Sequence, residues 1–105
     1  MFRDQAQRSK ACLTLLTLLG LERFWNERPT NEALEVLDAK ALSSGELVYL
    51  QAALDIWNPG SGHAEIGEAL RHLDTACAQA LWTLLFAISA GPNAIDAWIE
   101  ERVAA

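Results

Sequence analysis

The sequence predicts an all-α domain, and three observations carry that prediction. Leucine, alanine and tryptophan recur at helical spacings of three and four, and no stretch alternates with the β-branched enrichment of a strand. Strong turn formers also cut the chain at Gly20, Pro29, the Asn-Pro-Gly-Ser-Gly run at 58–62, and Gly91-Pro92. The expected architecture is a compact bundle of about five to six helices around a central apolar helix at about residues 75–90.

The first helix should run from about residue 3 to 19, with Gly20 as its left-handed C-terminal residue. Leu13, Leu15, Leu16, Leu18 and Leu19 exceed one face, so its C-terminal half is expected to be largely buried. Residues 21–25 add a turn before Pro29 ends the run. Thr30 or Asn31 caps a second helix with Ala33, Leu34, Leu37 and Ala41 as its apolar stripe and Glu32, Glu35, Asp38 and Lys40 as its solvated face. Ser43 and Glu46 have the spacing of a capping box, which starts a third helix striped by Leu47, Leu50, Leu54 and Trp57. Pro59 disfavours helical geometry at Asn58, so that helix must stop there.

A fourth helix is expected over about 64–73, with Ile66, Leu70 and Leu73 inward and Glu65, Glu68 and Arg71 outward. Asp74 caps the fifth, whose residues 75–90 include no charge and carry Leu81, Trp82, Leu84, Leu85, Phe86 and Ile88 around the whole circumference. This makes it the expected hub, and Leu85→Ala should cost about 2–5 kcal/mol. Asn93 and Asp96 form a variant capping pair for a last helix packed through Ile95, Trp98 and Ile99.

Composition bounds the function. The chain has 105 residues, enough for one core and too few for two. Fourteen acidic against eight basic residues give a net charge of −6, and the basic residues are dispersed, so neither a phosphate backbone nor an anionic membrane finds a matching surface. Residues 11–21 follow Arg3, Arg8 and Lys10 like the apolar core of an export signal. Glu22-Arg23-Phe24-Trp25-Asn26-Glu27-Arg28 then stands where a small-residue cleavage site belongs. The uncharged stretch 75–95 is broken at Gly91-Pro92 after about sixteen helical residues, short of a membrane span. Cys12 and Cys77 sit in apolar helical patterns. Free thiols in a cytoplasmic protein are the simpler reading, with a single Cys12–Cys77 bridge left open.

Chemistry-bearing constellations are sparse. The segment 46–73 resembles a degenerate EF-hand: Gly62 falls at the sharp-turn position 6, Glu68 at the terminal ligand position 12 and Ser61, just before the glycine, at ligand position 5. Trp57 and Pro59 occupy positions that need oxygen ligands, so the loop is not expected to hold calcium. Gly60-Ser61-Gly62 follows a helix and lacks both the third glycine and the lysine of a phosphate cradle. His63, His72, Cys12 and Cys77 have no zinc spacing. Asp55, Ser61 and His63 lie close in sequence, which is poor evidence for a triad that depends on spatial convergence. A helix-turn-helix over 64–90 would present a recognition helix without Arg, Lys or Asn.

The expected function is therefore non-enzymatic and cofactor-free, through contacts with a protein partner or a second copy in a homodimer. An EF-hand-like ligand module and a small cofactor-free enzyme are the alternatives. Trp57, Asn58, His63 and Glu68 around the glycine-rich loop, with Trp25 and Trp98, are the candidate loop or interface residues. The first helix and Trp98 of the last are expected to form the interface.

Overall fold

The computed structural model describes residues 1–39 and 41–103. Six α-helices occur among them: α1 (Gln5–Thr17), α2 (Asn31–Ala39), α3 (Ser44–Trp57), α4 (Ile66–His72), α5 (Thr75–Ala90) and α6 (Pro92–Val103). A single 3-10 turn, Glu22–Phe24, follows α1. No strand is present among the described residues, and the Cα radius of gyration is 12.7 Å. That matches the ~13 Å expected of a folded unit of this size.

Local hydrogen bonding sets most helix ends. Asp4 accepts from the Gln7 backbone to open α1. The helix closes with the bond pair of a Schellman motif, Leu21 N–H to Leu16 C=O and Gly20 N–H to Thr17 C=O, across Gly20 at φ 70°. Thr30 Oγ1 accepts from Ala33 N at 3.2 Å, the capping box of Ser43 and Glu46 is complete, and Asp74 accepts from Cys77 N. The last start differs from the expectation. Gly91, at φ 123°, makes the turn into α6, and Asp96 caps nothing; it binds α1 through Gln7 Nε2 at 2.9 Å and Arg3 at 2.9 Å.

The centre of the core also differs. α1 packs most extensively on α3, α5 on α6, and α1 touches both groups. Val48, Tyr49, Leu50, Ala52, Ala53, Leu54 and Ile56 are all buried, so α3, against Cys12, Leu15 and Leu16 of α1, is the hub. The expectation that α5 is the central helix is overturned. It buries Ala80, Leu81, Leu84 and Ala87, leaves Trp82 half-buried, and exposes Leu85 at 43% and Phe86 at 75%. An uncharged helix need not be an enclosed one, because which of its sides is covered depends on where the other helices can pack, and in a chain of this length they do not reach all of them.

Three further faces are corrected. On α4, Ile66 and Leu70, expected inward, are each 70% exposed, and Ala69 is the buried residue. On α2, Ala33 is buried while Leu34 is exposed and Ala41 lies beyond the helix. Glu32 and Glu35 are solvated; Lys40 and the Asp38 side chain lie outside the described residues. Trp25 and Trp98, expected as surface anchors, are only 5% and 4% exposed. Trp98 is held by hydrogen bonds from Nε1 to Ala80 O and Thr83 Oγ1 beneath α5, and Arg102 covers its ring at 4.2 Å.

Candidate functional site

Two concave surfaces stand out, on different faces of α3. The first is a cleft of about 980 Å³ between the N-terminal half of α1, the turn at 25–29, α2 and the 58–63 loop. Among the sequence candidates, Trp57, Asn58 and His63 meet here. Trp25 lies behind them, its ring edge-on to Trp57 with centroids 5.5 Å apart. Glu68 does not join: on α4 it holds His72 Nε2 at 3.0 Å and Arg71 at 3.6 Å. Trp98 is buried against α5.

Both rims of the cleft are fixed by hydrogen bonds. Asp55, at the end of α3, accepts from Ser61 Oγ at 2.6 Å, His63 N at 2.9 Å and Ala64 N at 2.7 Å. Burial raises the Asp55 carboxyl, but these three donors outweigh it and hold the group below the usual carboxylate range. On the other rim Trp25 Nε1 donates to Ser9 Oγ at 2.9 Å, and Ser9 Oγ donates to Glu27 O at 2.6 Å. Glu27 sits at φ 64°, a conformation uncommon for a residue with a side chain, which this network and the Asn26 N to Arg28 O bond hold in place.

Asp55, Ser61 and His63 therefore do come together, in an order that cannot work as a triad. The imidazole must stand between nucleophile and carboxylate to relay the proton. Here the carboxylate takes the serine hydroxyl directly, and His63 contributes its backbone N–H. The cysteines are free thiols: Cys12 is buried and donates to Ala53 O at 3.5 Å, and burial pushes its thiol up to about 12 against the opposing effect of Arg8. A nucleophile needs the thiolate, so Cys12 is packing. Among the described residues no three His, Cys, Asp or Glu side chains gather in an arrangement that could hold a metal ion.

The second surface is an apolar groove of about 380 Å³ between α3, α4 and α5. Val48, Ile56, Ile66, Leu81, Trp82 and Leu85 form its walls, and Asp55 and Glu65 are its charged members. Leu70, one turn on from Ile66, and Phe86, one turn on from Trp82, are exposed apolar side chains that lie outside it. Sequence reasoning placed Ile66, Leu70 and Leu85 in the core and so missed this face. It also assigned Asp55 no structural role, although a carboxylate a few positions before a glycine-rich loop is a known closing device for such turns.

Comparison with known proteins gives no match to a family model, to a curated protein or to a solved structure.

Proposed function

We propose that this chain is a protein-interaction module whose docking face is the outer side of α4 and α5, and that its first partner is a second copy of itself. The observation that supports this reading is the coincidence of charge and exposure on α5. It is the one helix of the six described that contains no Asp, Glu, Lys or Arg, yet it exposes Leu85 and Phe86 beside Ile66 and Leu70. Two copies that each carry −6 repel wherever acidic faces meet. Pairing centred on an uncharged helix limits the like charges brought together to Asp55 and Glu65 of the groove, and a twofold contact needs a self-complementary patch of this kind. The largest apolar patches on monomers span ~300–600 Å², and a stable dimer buries ~800 Å² per partner, so the groove and its two exposed shoulders would be covered together.

This reading moves the interface away from the first and last helices, because Trp98 is enclosed. The glycine-rich loop enters it only as the connector that sets α4 against α3. The EF-hand-like reading of 46–73 rests on the positions of Ser61, Gly62 and Glu68, while Ser61 donates to Asp55 and Glu68 binds its own helix.

Sedimentation equilibrium over a concentration series tests the proposal. The parent should pass from 11.5 kDa toward twice that mass, and Phe86→Glu should hold the chain at 11.5 kDa at every concentration. A parent that stays monomeric throughout overturns the second copy as partner.

A further inference from the structure

The two cations without partners point to a second site. Among the described residues most basic side chains are engaged. Arg3 binds Asp96, Arg71 binds Glu68, and Arg8 donates to Trp57 O and lies over the Phe2 ring. Arg23 covers Phe24, and Arg102 covers Trp98. The Lys10 and Arg28 side chains have no ion pair, hydrogen bond or aromatic face, and both line the 980 Å³ cleft. On a chain with fourteen acidic residues, two exposed cations outside any direct ion pair among the described residues, Lys10 having Asp96 within electrostatic reach, concentrate positive charge at one concavity. Glu27 is the opposing charge on its wall.

We infer that this cleft binds a small organic anion with an apolar body, a carboxylate on an aliphatic or aromatic tail. Lys10 and Arg28 supply the charge-assisted contacts to the carboxylate, Arg28 through a planar fork suited to both of its oxygens. Leu13, Leu54 and Trp57 supply the wall for the tail. The cleft is large enough for a metabolite-sized molecule. Its two rims are already fixed, by Asp55 on one side and the Ser9–Trp25–Glu27 bonds on the other, so binding need not order a loop. A bare inorganic anion would leave the apolar wall unused, and an uncharged lipid would leave both cations unmatched.

The test is a calorimetric and NMR titration of the full chain with octanoate, with octan-1-ol as the uncharged probe of the same tail. Octanoate should bind saturably and octan-1-ol at least about tenfold more weakly. Lys10→Gln and Arg28→Gln should each lower octanoate affinity about tenfold, Lys10→Arg should retain it, and added salt should weaken it. Intermolecular NOEs should run from the octanoate methylenes to Leu13 and Trp57. Equal binding of the alcohol, insensitivity to both charge-removing variants, NOEs to Trp82 and Ile88 of the other groove, or no saturable binding each overturn the inference. Repeating the titration on Phe86→Glu keeps its outcome separate from that of the docking face.

Discussion

Asp55 and Tyr49 each tie two parts of the chain together through hydrogen bonds that leave no alternative partner nearby. Asp55 gathers three donors from the loop that follows its helix. Its carboxyl titrates lower in the folded chain than in the unfolded one. The contribution is therefore complete above the unfolded value of about 3.9 and disappears as pH falls through the lower folded value. Asp55→Ala should lose about 1 kcal/mol near neutral pH, allowing for the water around a half-exposed group. In urea unfolding, the gap between variant and parent should narrow as pH falls below the unfolded value of about 3.9 and toward the lower folded one. Tyr49 is fully buried and its hydroxyl donates to Cys77 O, joining α3 to the first turn of α5. Burial, with the nearby Cys77 and Asp74, keeps that hydroxyl protonated throughout the working range. Tyr49→Phe should cost about 1 kcal/mol by the same measurement, since it removes the hydrogen bond without opening a large cavity.

At the scale of elements, helices α3 and α5 exchange the roles that hydropathy assigns them. α5 is apolar all round and lies with one side open; α3, which carries Glu46 and Asp55 but is apolar over most of its circumference, packs on α1, α2 and α4. Leu50→Ala, at a side chain with no exposed surface, should cost about 2–5 kcal/mol. Leu85→Ala, expected from the sequence to be as costly, should stay within about 1 kcal/mol because much of that side chain already meets water. Urea midpoints of the two variants side by side measure the exchange directly. The helix ends behave differently. The Thr30, Ser43–Glu46 and Asp74 caps and the Gly20 terminus stand where the sequence puts them, because a cap is completed by atoms within three or four residues, whereas the Asp4 cap of α1 falls inside the helix the sequence predicts from about residue 3. Asn93 fails as a cap because Gly91 turns the chain two residues earlier.

For the whole molecule, the two surfaces lead to separable behaviour. Pairing through α4 and α5 makes thermal stability depend on protein concentration, since association favours the folded state by mass action. The parent Tm should therefore rise with concentration while that of Phe86→Glu stays flat, as differential scanning calorimetry would record. The opposite cleft is untouched by that variant, and its charge-dependent binding should persist. No helix among the described residues is long and apolar enough to cross a membrane. The exposed apolar face is thus open to a partner surface without offering a span.

How much was legible in the sequence follows the range of the forces involved. The all-α class, the helix order, the stops at Gly20 and Asn58 and most of the caps are short-range, fixed by periodicity, backbone geometry and side chains a turn away, and the sequence alone determined them. Three of the six candidate site residues, Trp57, Asn58 and His63, share one cleft because a helix end and its loop are necessarily neighbours. Trp25 and Trp98 were misread as surface anchors, and Ile66, Leu70 and Leu85 as core. When a helix is apolar on several faces, its own pattern gives no preference for which face is covered. Only the tertiary structure decided that, because burial depends on where the other helices pack: α1 and α3 close on each other over Leu15, Leu16 and Leu50, and the outer sides of α4 and α5 are left facing water.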